Sequence, residues 1–191
     1  MTAAAGLTLP SGWADGDIGS VGPAGSASYA NGTFTVNASG SYIWGTADGF
    51  NFAYQPLQGD GTMVARLVSV HGGASSESAG VMIRETLTAG STNAYTAFSS
   101  GALMYFDERA STGGNTTSQS SSGSVTLPYW VKLVRSGNTF NGYISPDGVN
   151  WVQVGTTQTV TMAQGVYIGL AVSGNNNSTL ATATFDNVSI H

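Results

Sequence analysis

The sequence has no cysteine, few charged residues and no long apolar run, and each shortage excludes a class of protein. Disulfides and thiolate chemistry are excluded because Cys is 0. Charged residues make up 8% of the 191 residues, against about 25% in an average soluble domain. Five Lys and Arg face ten Asp and Glu, and the formal net charge is −5. Without a basic run we expect no nucleic-acid partner. The apolar runs are too short to span a bilayer, so we expect no membrane partner either.

Helical periodicity is missing as well, and the dominant pattern is the alternation of polar and apolar residues. It is clearest in 33–37 and 182–190, and such alternation is typical of strands with one buried face. Turn residues such as Pro146-Asp147-Gly148 separate ten or more such segments. The sequence therefore predicts one antiparallel β-sandwich over 1–191, with 1–8 as a flexible N-terminal segment. The polar segment 110–124 is either a mobile hairpin or a polar strand pair at a sheet edge.

Short motifs spread over nearly the whole chain carry a family resemblance. They are Leu9-Pro10-x-x-Trp13, Asp17-Ile18-Gly19, Ile43-Trp44-Gly45 with Asp48 and Phe50, Gly59-Asp60-Gly61, Ala79 to Glu85, Ser111-Thr112-Gly113-Gly114, Tyr129-Trp130, the Ser145 to Trp151 hairpin, and Phe185-Asp186-Asn187-Val188. In order and spacing they resemble the concanavalin A-like lectin/glucanase superfamily. More narrowly, they are similar to DUF1349-like jelly-roll domains appended to secreted bacterial glycoside hydrolases and surface proteins. The resemblance implies an all-β, two-sheet antiparallel jelly roll with a lectin-like function.

The composition and the N-terminus agree with a secreted module. The chain is rich in Gly, Ser, Thr and Asn and poor in Lys and Glu, and the residues after Met1 include no positive region followed by an apolar one. We expect the start of a mature domain whose export signal, if any, has been removed. The expected location is extracellular, and the expected state is a monomeric module of a larger protein.

A catalytic function would need residues that this sequence barely offers. Glycosidases of this superfamily place two carboxylates on one strand as Glu-x-Asp-x-Glu, and no such motif occurs here. Glu85 with Asp107 across strands is the best remaining pair. There is no Gly-x-Ser-x-Gly motif, and two histidines, His71 and His191, cannot form a zinc site without partners.

A binding function has better candidates on the strands. A sugar is held by an aromatic surface together with a few polar groups that contact its hydroxyls. If Met104, Phe106, Val81 and Ile83 face the core, alternation turns the intervening side chains toward solvent. The predicted ligand-binding residues are Tyr42, Trp44, Arg84, Tyr105, Asp107 and Arg109. Alternatively, Arg84 forms a surface salt bridge with Asp107 or Asp48, while Tyr42 and Trp44 cover the edge of the core.

A structural calcium ion is the one cofactor that we expect, and no organic cofactor is predicted. Jelly-roll modules that bind glycans often join their first and last strands through calcium, which takes about 6–8 oxygen ligands. Asp17, Asp186 and Asn187 are the candidate ligands if these strands are neighbours. Alternatively, these side chains cap turn amides.

The leading hypothesis is a non-catalytic carbohydrate-binding module that targets a secreted enzyme or a cell surface to polysaccharide. One alternative is a glycoside hydrolase or polysaccharide lyase that uses Glu85 and Asp107. The other is a structural or adhesin spacer domain without a small ligand. The fold itself does not decide among them, because one fold can carry many functions.

Overall fold

The computed structural model describes residues 8–73, 76–121 and 123–191, which form two antiparallel sheets of seven strands each. The strands are β1 (Ala14–Ile18), β2 (Ser26–Ala30), β3 (Thr33–Gly40), β4 (Phe50–Gln58), β5 (Gly61–His71), β6 (Ser78–Arg84), β7 (Asn93–Ser99), β8 (Leu103–Arg109), β9 (Thr117–Ser120), β10 (Tyr129–Ser136), β11 (Thr139–Ser145), β12 (Val152–Thr159), β13 (Gly165–Ser173) and β14 (Asn176–Ile190). The front sheet has the order β1-β4-β13-β6-β7-β8-β9, and the back sheet has the order β12-β11-β10-β5-β14-β3-β2. The predicted all-β, two-sheet sandwich is confirmed.

The part of the chain that the structure describes contains no helix long and apolar enough to cross a membrane.

The main core lies between the two sheets and is built by strand alternation. Val81 and Ile83 of the front sheet and Val131 and Leu133 of the back sheet are fully buried in it. Because neighbours along a strand point to opposite faces, Met82 and Arg84 project from the outer face of the front sheet. Which side chains face the core was therefore predictable from the pattern of the sequence.

A second apolar layer covers the outer face of the front sheet. Its buried members include Phe50, Phe52, Met82 and Tyr95 from the strands, together with Ile43 from the loop between β3 and β4. We call residues 41–49 the cover loop, because Ile43 packs on this outer layer instead of in the main core. The cover loop determines which part of the face remains open.

Some elements were not predicted. Strands β1 and β2 lie in stretches of Ser, Ala, Gly and Asp, residues that are poor strand formers on average. Segment 110–124, predicted as a mobile hairpin or a polar strand pair at an edge, contributes one strand among its described residues, the edge strand β9, which pairs with β8. Residues 1–7 of the predicted flexible segment lie outside the described residues.

The hairpin that joins β11 to β12 is held by Asp147. Its Oδ1 atom accepts hydrogen bonds from the backbone N–H groups of Val149 at 2.9 Å and Asn150 at 2.8 Å. These bonds hold the pKa of the Asp147 carboxyl well below its usual range. The side chain is thus a turn-capping group, as its position after Pro146 suggested.

Candidate functional site

A cleft of about 330 Å³ opens on the outer face of the front sheet, beside the cover loop. It is lined by Tyr42, Ile43, Trp44, Ser76, Ser78, Ser99, Leu103, Tyr105, Asp107, Ser118, Ser120 and Asn175. The side chains of Tyr42 and Trp44 are 54% and 49% exposed, so both rings line the cleft while remaining open to solvent. Four of the predicted ligand-binding residues, Tyr42, Trp44, Tyr105 and Asp107, therefore line one cleft.

Two tyrosines support the inner part of the cleft. The rings of Tyr95 on β7 and Tyr105 on β8 meet edge to face, with their centroids 5.9 Å apart. The hydroxyl of Tyr95 donates a hydrogen bond to the backbone oxygen of Ala171 at 3.0 Å. Burial raises the pKa of both phenols, so both hydroxyls stay neutral near pH 7. Tyr95 was missed at the sequence level, although its position opposite Asp107 in the register between β7 and β8 places it on the same face.

Asp107 is the acidic residue of the cleft, and it is almost fully buried. It is 3% exposed, and its Oδ1 atom has no hydrogen-bond partner among the described residues. Burial raises the pKa of the Asp107 carboxyl to about 7, and the nearby hydroxyl of Ser118 opposes that shift. An unpartnered buried acceptor costs roughly 1–3 kcal/mol, so a ligand hydroxyl that reached Oδ1 would gain more than an ordinary surface hydrogen bond.

The other two predicted ligands, Arg84 and Arg109, are not exposed, and the expectation that they face solvent is wrong. Both side chains are 0% exposed. Alternation does place them on the outer face, but the cover loop folds over them and brings Asp48 into contact. Asp48 Oδ1 accepts a hydrogen bond from Arg109 Nη2 at 2.6 Å. Asp48 Oδ2 accepts hydrogen bonds from Arg109 Nη1 at 2.8 Å and from Arg84 Nη1 at 3.3 Å.

These three side chains, the Asp48 cluster, tie the cover loop to its neighbours. Arg109 Nε donates to the backbone oxygen of Gly114, and Arg109 Nη2 donates to that of Gly45 within the cover loop. Burial lowers the pKa of Arg84 to about 10 while Asp48 opposes the shift, so Arg84 remains a cation at neutral pH. The two guanidinium groups therefore stabilise the loop that presents Tyr42 and Trp44, instead of contacting a ligand.

Glu85 and Asp107, the candidate catalytic pair, are not brought together. Glu85 Oε1 accepts from the backbone N–H of Ala163 at 2.9 Å, and Oε2 accepts from the hydroxyl of Thr92 at 2.8 Å. Glu85 lines a different cleft, next to Tyr167 near the start of β13. The pairing fails because Glu85 follows the outward-facing Arg84, and alternation turns it away from the face that carries Asp107.

The three predicted calcium ligands do not form one site either. Asp17 lies on β1 at an edge of the front sheet, whereas Asp186 and Asn187 lie on β14 inside the back sheet, so the first and last strands are not neighbours. Asp17 accepts from the backbone N–H of Gly25 and from the side chain of Asn51. Asp186 accepts from Arg66 Nε at 2.7 Å, and this pairing lowers the pKa of Asp186. The three residues therefore do not come together to hold the expected calcium ion, and no group of three His, Cys, Asp or Glu side chains that could hold a metal ion occurs among the described residues.

No protein-family model matches the chain, and no curated protein matches it. The narrower resemblance to DUF1349-like domains consequently remains a prediction.

Comparison with solved structures identifies the fold. The carbohydrate binding module CBM66 from Bacillus subtilis aligns over 94% of this chain and 95% of its own, with a TM-score of 0.62 and 16% identity. The alginate lyase from Corynebacterium sp. aligns over 94% and 93%, with a TM-score of 0.59 and 14% identity. A variant of the GH43 protein BlXynB from Bacillus licheniformis aligns over 86% of this chain but 34% of its own, with a TM-score of 0.65 and 16% identity. The chain thus has the concanavalin A-like jelly-roll fold that these carbohydrate-related proteins share.

Proposed function

We propose that this chain binds carbohydrate without cleaving it, in the cleft beside the cover loop. The observation that carries the proposal is the pairing of two open aromatic rings, Tyr42 and Trp44, with the unpartnered buried oxygen of Asp107 in the same cleft. A sugar offers an apolar C–H face, which stacks on an aromatic ring. It also offers hydroxyls, which donate hydrogen bonds to a carboxylate. The cleft places both kinds of group side by side.

The fold comparisons support a carbohydrate partner of this kind. CBM66 from Bacillus subtilis is a carbohydrate binding module, and this chain aligns with nearly all of it. We extend that function to this chain as a monomeric module that holds a secreted enzyme or a cell surface on polysaccharide. The proposal thus includes an extracellular location and a larger protein of which this chain is one module.

Cleavage of a glycan is the second candidate function, and one observation favours it. The pKa of Asp107, about 7, is close to the value that suits a general acid or base at neutral pH. Against cleavage, Asp107 is the one carboxylic acid among the described residues that line the cleft. Glycoside hydrolysis ordinarily requires two. Binding is therefore the better-supported function.

Affinity electrophoresis through gels that contain single polysaccharides tests the proposal. We expect at least one neutral polysaccharide to retard the wild-type chain, and the Trp44→Ala variant to lose that retardation. Trp151→Ala is the matched control, because the Trp151 ring packs against Lys132 of the back sheet and its loss should leave retardation unchanged. No retardation by any polysaccharide would contradict the proposal and favour a spacer domain. Reducing-sugar release that Asp107→Asn abolishes would establish cleavage in its place.

A further inference from the structure

No lysine or arginine side chain lines the cleft. The sequence contains five Lys and Arg residues, and every one is within the described residues. They are Arg66, Arg84, Arg109, Lys132 and Arg135. None of them lines the cleft. Its ligand preference must therefore come from neutral groups and from Asp107.

Each cation is also engaged elsewhere. Arg84 and Arg109 belong to the buried Asp48 cluster, and Arg66 pairs with Asp186 on the back sheet. Arg135 is buried and donates to the backbone oxygen of Ala163 at 2.7 Å. The ammonium group of Lys132 lies over the ring of Trp151, 4.1 Å from its centroid. No rotation of a nearby surface side chain could bring a cation into the cleft.

The remaining polar groups of the cleft suit uncharged hydroxyls. Five serines line it, namely Ser76, Ser78, Ser99, Ser118 and Ser120. Asn175 also lines it, and its side-chain amide donates to the backbone oxygen of Ser76. A serine hydroxyl can both donate and accept a hydrogen bond, as a sugar hydroxyl can, and none of these groups can neutralise an anion.

We propose that the cleft selects neutral polysaccharides and rejects those whose sugars carry carboxylate or sulfate groups. The inference rests on the proposed carbohydrate-binding function and names its substrate class. An anionic sugar would lose water on entering the cleft without gaining a cation, and it would approach the carboxylate of Asp107. Desolvated or like-charged groups of this kind are an effective means of rejecting a wrong ligand. The net charge of −5 acts in the same direction at longer range.

Pairs of polymers that share a backbone and differ in charge provide the test. Hydroxyethyl cellulose is compared with carboxymethyl cellulose, and methyl-esterified polygalacturonate with the de-esterified polymer, each cast into affinity gels at pH 8. We expect retardation by a neutral member to be at least tenfold stronger than by its charged partner. Equal or stronger retardation by the charged member would overturn the inference while leaving carbohydrate binding intact. If no polymer in these pairs or in a wider neutral panel retards the chain, both proposals fail.

Two variants connect the selectivity to the cleft. Asp107→Asn removes the negative charge at nearly constant shape, so the neutral-to-charged ratio should fall toward one. Ser120→Lys adds a cation at an exposed position that lines the cleft, and it should create measurable retardation by carboxymethyl cellulose. Each variant is first checked by its melting curve. If both keep the wild-type ratio, the discrimination arises elsewhere and the inference is wrong.

Discussion

The outer faces of the two sheets differ in which groups they expose. The front sheet buries its arginines and exposes aromatic rings, whereas on the back sheet a lysine covers the aromatic rings. On the front sheet Arg84 and Arg109 lie beneath the cover loop, while Tyr42 and Trp44, which belong to that loop, are exposed. On the back sheet the ammonium of Lys132 lies over the rings of Trp151 and Tyr143, with centroid distances of 4.1 Å and 4.6 Å. An aromatic ring is therefore open to a ligand on the front sheet and covered by a cation on the back sheet.

This difference shows that the surroundings of an aromatic residue, more than its presence, decide whether it can bind a sugar. Arginine can be buried when a carboxylate and backbone carbonyls satisfy its planar set of donors, and Asp48 provides that arrangement. The ammonium of lysine is strongly hydrated, so Lys132 stays near the surface and rests on the rings beside it.

The largest expected effect follows removal of Asp48. In Asp48→Ala two buried guanidinium groups lose their carboxylate, and breaking a buried ion pair in this way costs about 3–5 kcal/mol. Urea unfolding should show that loss, together with weaker glycan retardation, because the cover loop is no longer held. The control is Asp186→Ala, which breaks the partly exposed pair with Arg66 and should cost about 1 kcal/mol or less. Similar losses in both variants would contradict the buried role of the Asp48 cluster.

Replacement of Asp107 should have an effect that depends on pH. The folded chain keeps a proton on Asp107 up to about pH 7, whereas the unfolded chain releases it near the ordinary aspartate pKa of 3.8. The free energy of unfolding contributed by Asp107 therefore falls as the pH rises from about 4 to 7, and it stays low above that range. Asp107→Asn should raise stability at pH 8 by up to about 4 kcal/mol and change it little at pH 4.

Thermal melting at the two pH values checks this expectation. Asp186→Asn serves as a control whose stability should change with pH in the opposite direction. The pairing with Arg66 lowers the pKa of Asp186, whereas burial raises that of Asp107. The stability that this pair contributes is present above the ordinary carboxyl pKa and is lost as the pH falls below it. An Asp107→Asn variant that is destabilised equally at both pH values would show that Asp107 is charged and satisfied in the folded chain.

The exposed rings should matter for binding and hardly for stability. Trp44→Ala should change the free energy of unfolding by about 0.5 kcal/mol or less, as surface substitutions usually do, and weaken glycan binding at least tenfold, which is about 1.4 kcal/mol. A Trp44→Ala variant that loses several kcal/mol of stability would mean that the ring supports the core instead.

The smallest expected effect is that of Lys132→Ala on the back sheet. It removes a cation–π contact worth about 0.5–1 kcal/mol at an exposed site and should leave glycan binding by the front sheet unchanged. A gain of new retardation in this variant would show that uncovering Trp151 and Tyr143 is enough to create a second binding face. That result would sharpen the contrast between the two sheets.

Alternation in the sequence was sufficient to predict the sandwich and which side chains of β6 and β8 face the main core. It correctly placed Val81 and Ile83 in the main core and turned Arg84, Asp107 and Arg109 to the outer face. It could not show that this outer face is itself covered, because the cover loop has no periodic pattern and its packing depends on contacts distant in sequence.

The errors at the level of the site have the same origin. Calcium ligation by Asp17 and Asp186 required the first and last strands to be neighbours. Local sequence patterns do not predict the order of strands in a sheet. Asp48 was noticed as part of a motif and as a partner for Arg84, but its burial depends on the fold of the cover loop. A useful warning sign was present: all five Lys and Arg residues lie within strands, where satisfied burial is an alternative to ligand contact.

A crystal structure of the chain with a neutral oligosaccharide that retards it tests the central claim most directly. The account predicts a sugar ring stacked on Trp44 or Tyr42, with one of its hydroxyls donating a hydrogen bond to Asp107 Oδ1. Sugar bound against Trp151 and Tyr143 on the back sheet, with the front cleft empty, would contradict it.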